Sequence, residues 1–125
     1  MQLGTLALIL GSVGMATVAQ LLLKIGMNDV AIQGAIHSQR WGVGALLVMQ
    51  NAWIVGGLLL YILGAVVWLL VLARVELSFA YPFVGIGFIV TMVFGWWFMG
   101  DALGVQRVVG TLLIATGIVL VARGG

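Results

Sequence analysis

The sequence predicts an all-α membrane protein of four transmembrane helices, and three observations carry that prediction. Of 125 residues, 64% are hydrophobic and only 6% are charged, too little polarity to cover a water-soluble globule of ordinary make-up. Four apolar runs, over 3–23, 52–73, 78–99 and 103–122, each match the roughly 20 helical residues that a hydrocarbon core of about 30 Å requires. The runs are too long and too unbroken to be barrel strands of about ten alternating residues. The chain reads as a single four-helix domain.

The first run carries no charge before Lys24. No basic residue precedes it and no Ala-x-Ala site follows, so it is expected to cross the membrane rather than to act as a cleaved signal. Residues 25–50 differ, with Asn28, Asp29, Gln33, His37, Ser38, Gln39 and Arg40 ahead of a mostly apolar stretch at 41–49. This suggests either a loop with an interfacial segment at 29–49 or an early start of the second helix near Trp41. Trp41 and Trp53 suit headgroup depth, where indole keeps its body in lipid and its N–H in water. The second run closes at Arg74, and Arg74-Val75-Glu76-Leu77 forms a tight connection to the third. Pro82 falls in about the first turn of that helix, where its missing N–H costs little. The fourth run has Arg107 near its start and Arg123 at its end, so basic side chains can snorkel to both headgroup layers.

Charge excludes several functions. The five basic residues, Lys24, Arg40, Arg74, Arg107 and Arg123, are scattered, with no run that could track a nucleic-acid backbone. The three acids, Asp29, Glu76 and Asp101, all lie in connections, His37 stands alone, and cysteine is absent. No acid–base pair, nucleophilic triad, zinc spacing or P-loop can be assembled from them. Catalytic residues, metals and cofactors are therefore not expected, and neither is enzymatic activity. Four crossings put Arg74 and Arg123 on one side and Lys24, Arg40 and Arg107 on the other. A bias of two against three leaves orientation open, including insertion both ways as an antiparallel dimer.

Polar groups at membrane depth are the candidates for function, because each is costly there unless paired. Val13, Thr17, Gln20 and Lys24 recur at helical spacing and share one face that grows more polar toward Lys24, a stripe able to line a wet groove. Cross-helix bonding by Thr17 and Gln20, with Lys24 snorkelling, is the structural alternative. In the third helix Tyr81, Gly85, Phe88, Met92 and Gly95 fall near one face, an aromatic groove fit for an acyl or prenyl chain, or equally for packing on helix one. Nineteen glycines suggest close helix contacts, and Gly110 and Gly117, two turns apart, are expected to mark one face of helix four for a helix of a second subunit or, equally, of the same chain.

Four pieces of the chain resemble the four-helix branch of the drug/metabolite transporter superfamily. They are Ala19-Gln20-Leu21-Leu22-Leu23-Lys24, Leu77-Ser78-Phe79-Ala80-Tyr81-Pro82, Gly100-Asp101-Ala102-Leu103, and the glycine-striped run from Gly110 to Leu120. The resemblance implies a small multidrug resistance-like bundle in a bacterial inner membrane. It also implies a homodimer, or a heterodimer with a similar small subunit. In the multidrug exporters of that branch a membrane-embedded Glu in helix one exchanges protons for a cationic substrate, whereas this chain has Ala16 there and Val84 where a Trp is common. The Gln20/Lys24 and Tyr81-Pro82 pieces look more like the paired subunits that flip aminoarabinose-phosphoundecaprenol, although Gly85-Ile86-Gly87 replaces their usual Ser and Asn. The expected cargo is thus a lipid-linked sugar phosphate. Gln20, Lys24, Thr17, Tyr81, Pro82 and Gly85 would line its passage, and Arg74 or Arg107 would hold phosphate. Export of small amphipathic compounds, or a non-transporting docking subunit, are the alternatives.

Overall fold

The computed structural model describes residues 3–124 and is helical throughout, with four helices long and apolar enough to cross a membrane. The first crossing is α1 (Leu3–Met27), one turn longer than the apolar run, because a lone Lys24 need not end a helix. It stops at Asn28-Asp29, where the Asp29 carboxylate turns to accept from the amides of Ala31 and Ile32 at 2.8 and 3.3 Å and so starts α2 (Val30–His37).

Residues 25–50 are thus more ordered than a loop. After α2, Gln39 adopts a left-handed φ of 57°, and the Arg40 amide donates back to the Ala35 carbonyl at 2.9 Å, turning the chain into α3 (Trp41–Gln50). A second crossing running unbroken from Trp41 is not found. Asn51 is extended at φ −80° and ψ 117°, and its side-chain oxygen accepts from Trp53 N and Ile54 N to cap α4 (Ala52–Leu72). The Asn51 side-chain Nδ2 also donates to the Gly26 carbonyl at 3.3 Å, tying the end of α1 to the start of α4.

The third crossing is not one unbroken helix entered through Pro82. A single turn, α5 (Leu77–Ala80), leads into a 3-10 turn at Tyr81–Phe83 and only then into α6 (Val84–Phe98). Pro82 lies inside the crossing, and the tighter 3-10 bonding accommodates the N–H that proline lacks. At the far end Gly100 takes φ +71°, a conformation that favours glycine, and the Asp101 amide returns to the Gly95 carbonyl at 3.0 Å. The fourth crossing, α7 (Val105–Gly124), begins after a short non-helical stretch.

The crossings touch in the order α4, α1, α6, α7, with α1 packing most extensively on α4. Gly57 and Gly64 of α4, two turns apart, permit that close approach. A methyl group at Gly57 would meet Leu23 at 3.0 Å, one at Gly64 would meet Met15 at 3.2 Å, and the Ser12 hydroxyl donates to the Gly64 carbonyl at 2.9 Å. By contrast, Gly110 and Gly117 of α7 have nothing within 4 Å of an added methyl, so the glycine contact expected on the fourth helix is absent within the described chain. The apolar core of Ile9, Val13, Val71, Ala80, Phe83 and Ile118 gathers at the Arg74 end of the bundle.

Candidate functional site

All four crossings contribute to one cavity of about 960 Å³, whose lining runs along the third crossing from Tyr81 to Met99. At about 1.5 Å per helical residue that path is roughly 27 Å, close to the thickness of a hydrocarbon core. Ser12, Val13, Ala16, Thr17, Gln20 and Lys24 of α1 form one wall, so the stripe expected on helix one faces the cavity throughout. Gln20 and Lys24 are exposed to the cavity, whereas Thr17 is buried where α1 meets α6. A methyl at Gly87 would lie 2.6 Å from Thr17 Oγ1, so the two helices approach closely there.

The other expected site residues divide. Tyr81 and Arg107 line the cavity, with Arg107 Nη1 donating to the Ala102 carbonyl at 2.9 Å. Pro82 and Gly85 instead line a second, apolar hollow of about 310 Å³ between the third and fourth crossings, together with Ile114, Gly117 and Ile118. Gly85 is buried there, its missing side chain leaving room for Ile114 and Ile118. Arg74 borders neither space; it is exposed in the turn after α4, at the closed end of the bundle.

Sequence reasoning missed Trp68 and Asp101. The Trp68 and Tyr81 rings meet edge to face with centroids 6.4 Å apart at one end of the cavity, while Asp101 joins Lys24 and Arg107 at the other. The wall between is chemically uneven. Ser12, Thr17, Thr91 and Thr111 each donate their hydroxyl proton to a backbone carbonyl, of Gly64, Val13, Phe88 and Arg107 respectively, at 2.7–3.0 Å. A hydroxyl has one proton, so these groups offer a passenger only lone pairs. Hydrogen-bond donors free to meet an anion come from Gln20, Lys24, Arg107, Tyr61 and Tyr81, and the cationic ones stand together at the Lys24 end.

A family model described as Putative transmembrane family 234 matches residues 9–122. Over 115 residues the chain is 29% identical to a Proteus mirabilis (strain HI4320) protein named as probable 4-amino-4-deoxy-L-arabinose-phosphoundecaprenol flippase subunit ArnF, covering 87% of this chain and 84% of that one. It is 30% identical over 104 residues to a protein of Pseudomonas aeruginosa (strain UCBPP-PA14) named as the probable ArnE subunit of the same flippase, covering 82% and 90%. A similar ArnE-named protein of Pseudomonas savastanoi pv. phaseolicola (strain 1448A / Race 6) is 30% identical over 80 residues, covering 64% and 70%. No solved structure matches.

Proposed function

Because the chain belongs to transmembrane family 234, and its relatives bear the names of flippase subunits, we propose that it is a multi-pass flippase subunit carrying a polyprenyl-phosphate-linked sugar across a bacterial inner membrane. The observation that carries this reading is the cavity itself, as long as a bilayer core is thick and cationic at one end. A phosphate head would be held at that end by Lys24 and Arg107 in charge-assisted hydrogen bonds. Gln20 and Thr17 would line its way inward, and Tyr81 with Trp68 would receive the sugar at the far end. The polyprenyl tail has no need of the polar groove; the apolar hollow beside Pro82 and Gly85 would take part of it, and lipid the rest.

Two features support work in pairs. Only a small part of α7 is buried within the chain, and away from the cavity and the hollow it leaves Leu112, Leu113, Val119 and Leu120 exposed, an apolar surface on which a second small subunit of the same kind would seat. Ala16 lines the cavity without an acid, so movement along this path has no proton carrier on helix one. The alternative of cation export has no embedded carboxylate on α1 to hold its substrate.

The test is reconstitution into vesicles, alone and with a co-expressed small subunit, followed by delivery of a polyprenyl-phosphate sugar to the opposite leaflet. Lys24→Ala and Arg107→Ala are each expected to cut delivery about tenfold or more, the size of a lost charge-assisted hydrogen bond. Wild-type rates in both variants would refute the assignment of the cationic end, and no delivery by any wild-type preparation would refute the function.

A further inference from the structure

Asp101 is a carboxylate among the cavity's cations, and local structure places it there. The left-handed Gly100 reverses the chain after α6, and the Asp101 amide is anchored on the Gly95 carbonyl at 3.0 Å. The side chain then folds back over α6, so that a methyl on Gly95 would sit 2.5 Å from Asp101 Oδ2. Gly95 is buried under that carboxylate, whereas Asp101 itself is exposed and lines the same cavity as Lys24 and Arg107. A plain phosphate would gain nothing from an anion at this spot, and like charges at close range destabilise binding.

Two cations and one carboxylate at one mouth suit a head group that carries both signs. From this geometry we infer that Asp101 selects cargo bearing a primary ammonium beside its phosphate, with Lys24 and Arg107 on the phosphate and Asp101 on the ammonium. The inference rests on the flippase reading and adds a specificity residue to it. An amino sugar on a polyprenyl phosphate has this chemistry, and so does the head group of phosphatidylethanolamine.

Binding to the purified full chain in detergent, read by native mass spectrometry or a thermal shift, separates these cases. The probes are a polyprenyl phosphate carrying a 4-amino pentose, its N-acetylated form, phosphatidylethanolamine and phosphatidylglycerol. Wild type is expected to prefer an amine-bearing probe over its amine-free counterpart by about tenfold, the worth of one charge-assisted hydrogen bond. Asp101→Asn should bring that ratio to about one, and Asp101→Glu should keep most of it. A structural role alone would lower binding of both members of a pair together and leave the ratio as it was.

An Asp101-dependent preference confined to the sugar lipids, or shared with phosphatidylethanolamine, supports the inference. Should it appear only with phosphatidylethanolamine, Asp101 keeps its role and the polyprenyl cargo is displaced. A preference that survives in Asp101→Asn, or wild type binding both members of each pair equally, overturns the role of Asp101 while leaving the flippase reading in place. Wild type that binds none of the probes overturns both.

Discussion

Adding one methyl group at the contact between α1 and α6 tests how the cavity's two walls are held apart. In Gly87→Ala the new Cβ would stand 2.6 Å from Thr17 Oγ1, about 0.8 Å inside an ordinary contact, while Val13 Cγ1 and Thr17 Cβ at 3.7 and 3.9 Å would be met comfortably. The clash is therefore with a single oxygen. That oxygen cannot swing away freely, because it donates to the Val13 carbonyl at 2.7 Å and lies among buried neighbours. Either the bond breaks or the helices part, and overpacking of this kind costs about 1–3 kcal/mol. Thr17→Ala alone removes the oxygen with its local hydrogen bond and one buried methyl, at about 1–2 kcal/mol.

The double variant should then be no less stable than Thr17→Ala by itself, since the added methyl occupies the space the hydroxyl left. The cycle predicts a coupling of about 1–3 kcal/mol in favour of the double variant, measured by unfolding in mixed micelles. Simple addition of the two single losses would refute the close approach, and with it the geometry that brings α6 against the polar stripe of α1.

Asn51→Ala removes both the α4 cap and the bond to the Gly26 carbonyl, and is expected to lower stability by about 1–2 kcal/mol in the same assay. Asp29→Ala removes only the cap of α2, so hydrogen exchange at Ala31 and Ile32 should quicken while global unfolding shifts by about 1 kcal/mol or less.

The four crossings were legible because lipid demands long apolar runs and tolerates few charges. The face of helix one was legible for a related reason: α1 is a single unbroken helix, so Thr17, Gln20 and Lys24 keep the register that a 3.6-residue period assigns them. Helix three keeps most of its expected face: Tyr81, Phe88, Met92 and Gly95 all line the cavity despite the 3-10 turn at Tyr81–Phe83, and only Gly85 turns aside, under Ile114. The interfacial segment at 29–49 was legible from the apolar stretch at 41–49, but its division into α2 and α3 was not, because that division lies in side-chain caps at Asp29 and Asn51 and a left-handed turn at Gln39. Asp101 was missed because it sits in a connection, and only the Gly100 reversal shows that the connection folds inward.

The uneven chemistry of the cavity bears on how a passenger could leave it. A phosphate left without partners in the passage costs several kcal/mol, but a site that held it tightly at every point would never let go. Here the two cations lie at one end, a neutral amide at Gln20 and the Tyr61 hydroxyl lie deeper, and the far end offers the Tyr81 hydroxyl and the Trp68 ring. The threonine and serine hydroxyls between them have spent their protons on the backbone, so they solvate cationic or hydroxyl-bearing parts of a head group and give an anion no strong stopping place. Grip on a phosphate thus weakens with distance from Lys24 and Arg107, while hydrogen bonding to a sugar does not. A head that combines the two would be captured by its phosphate and guided by its hydroxyls, and that division of labour favours a sugar phosphate over a bare lipid phosphate as cargo.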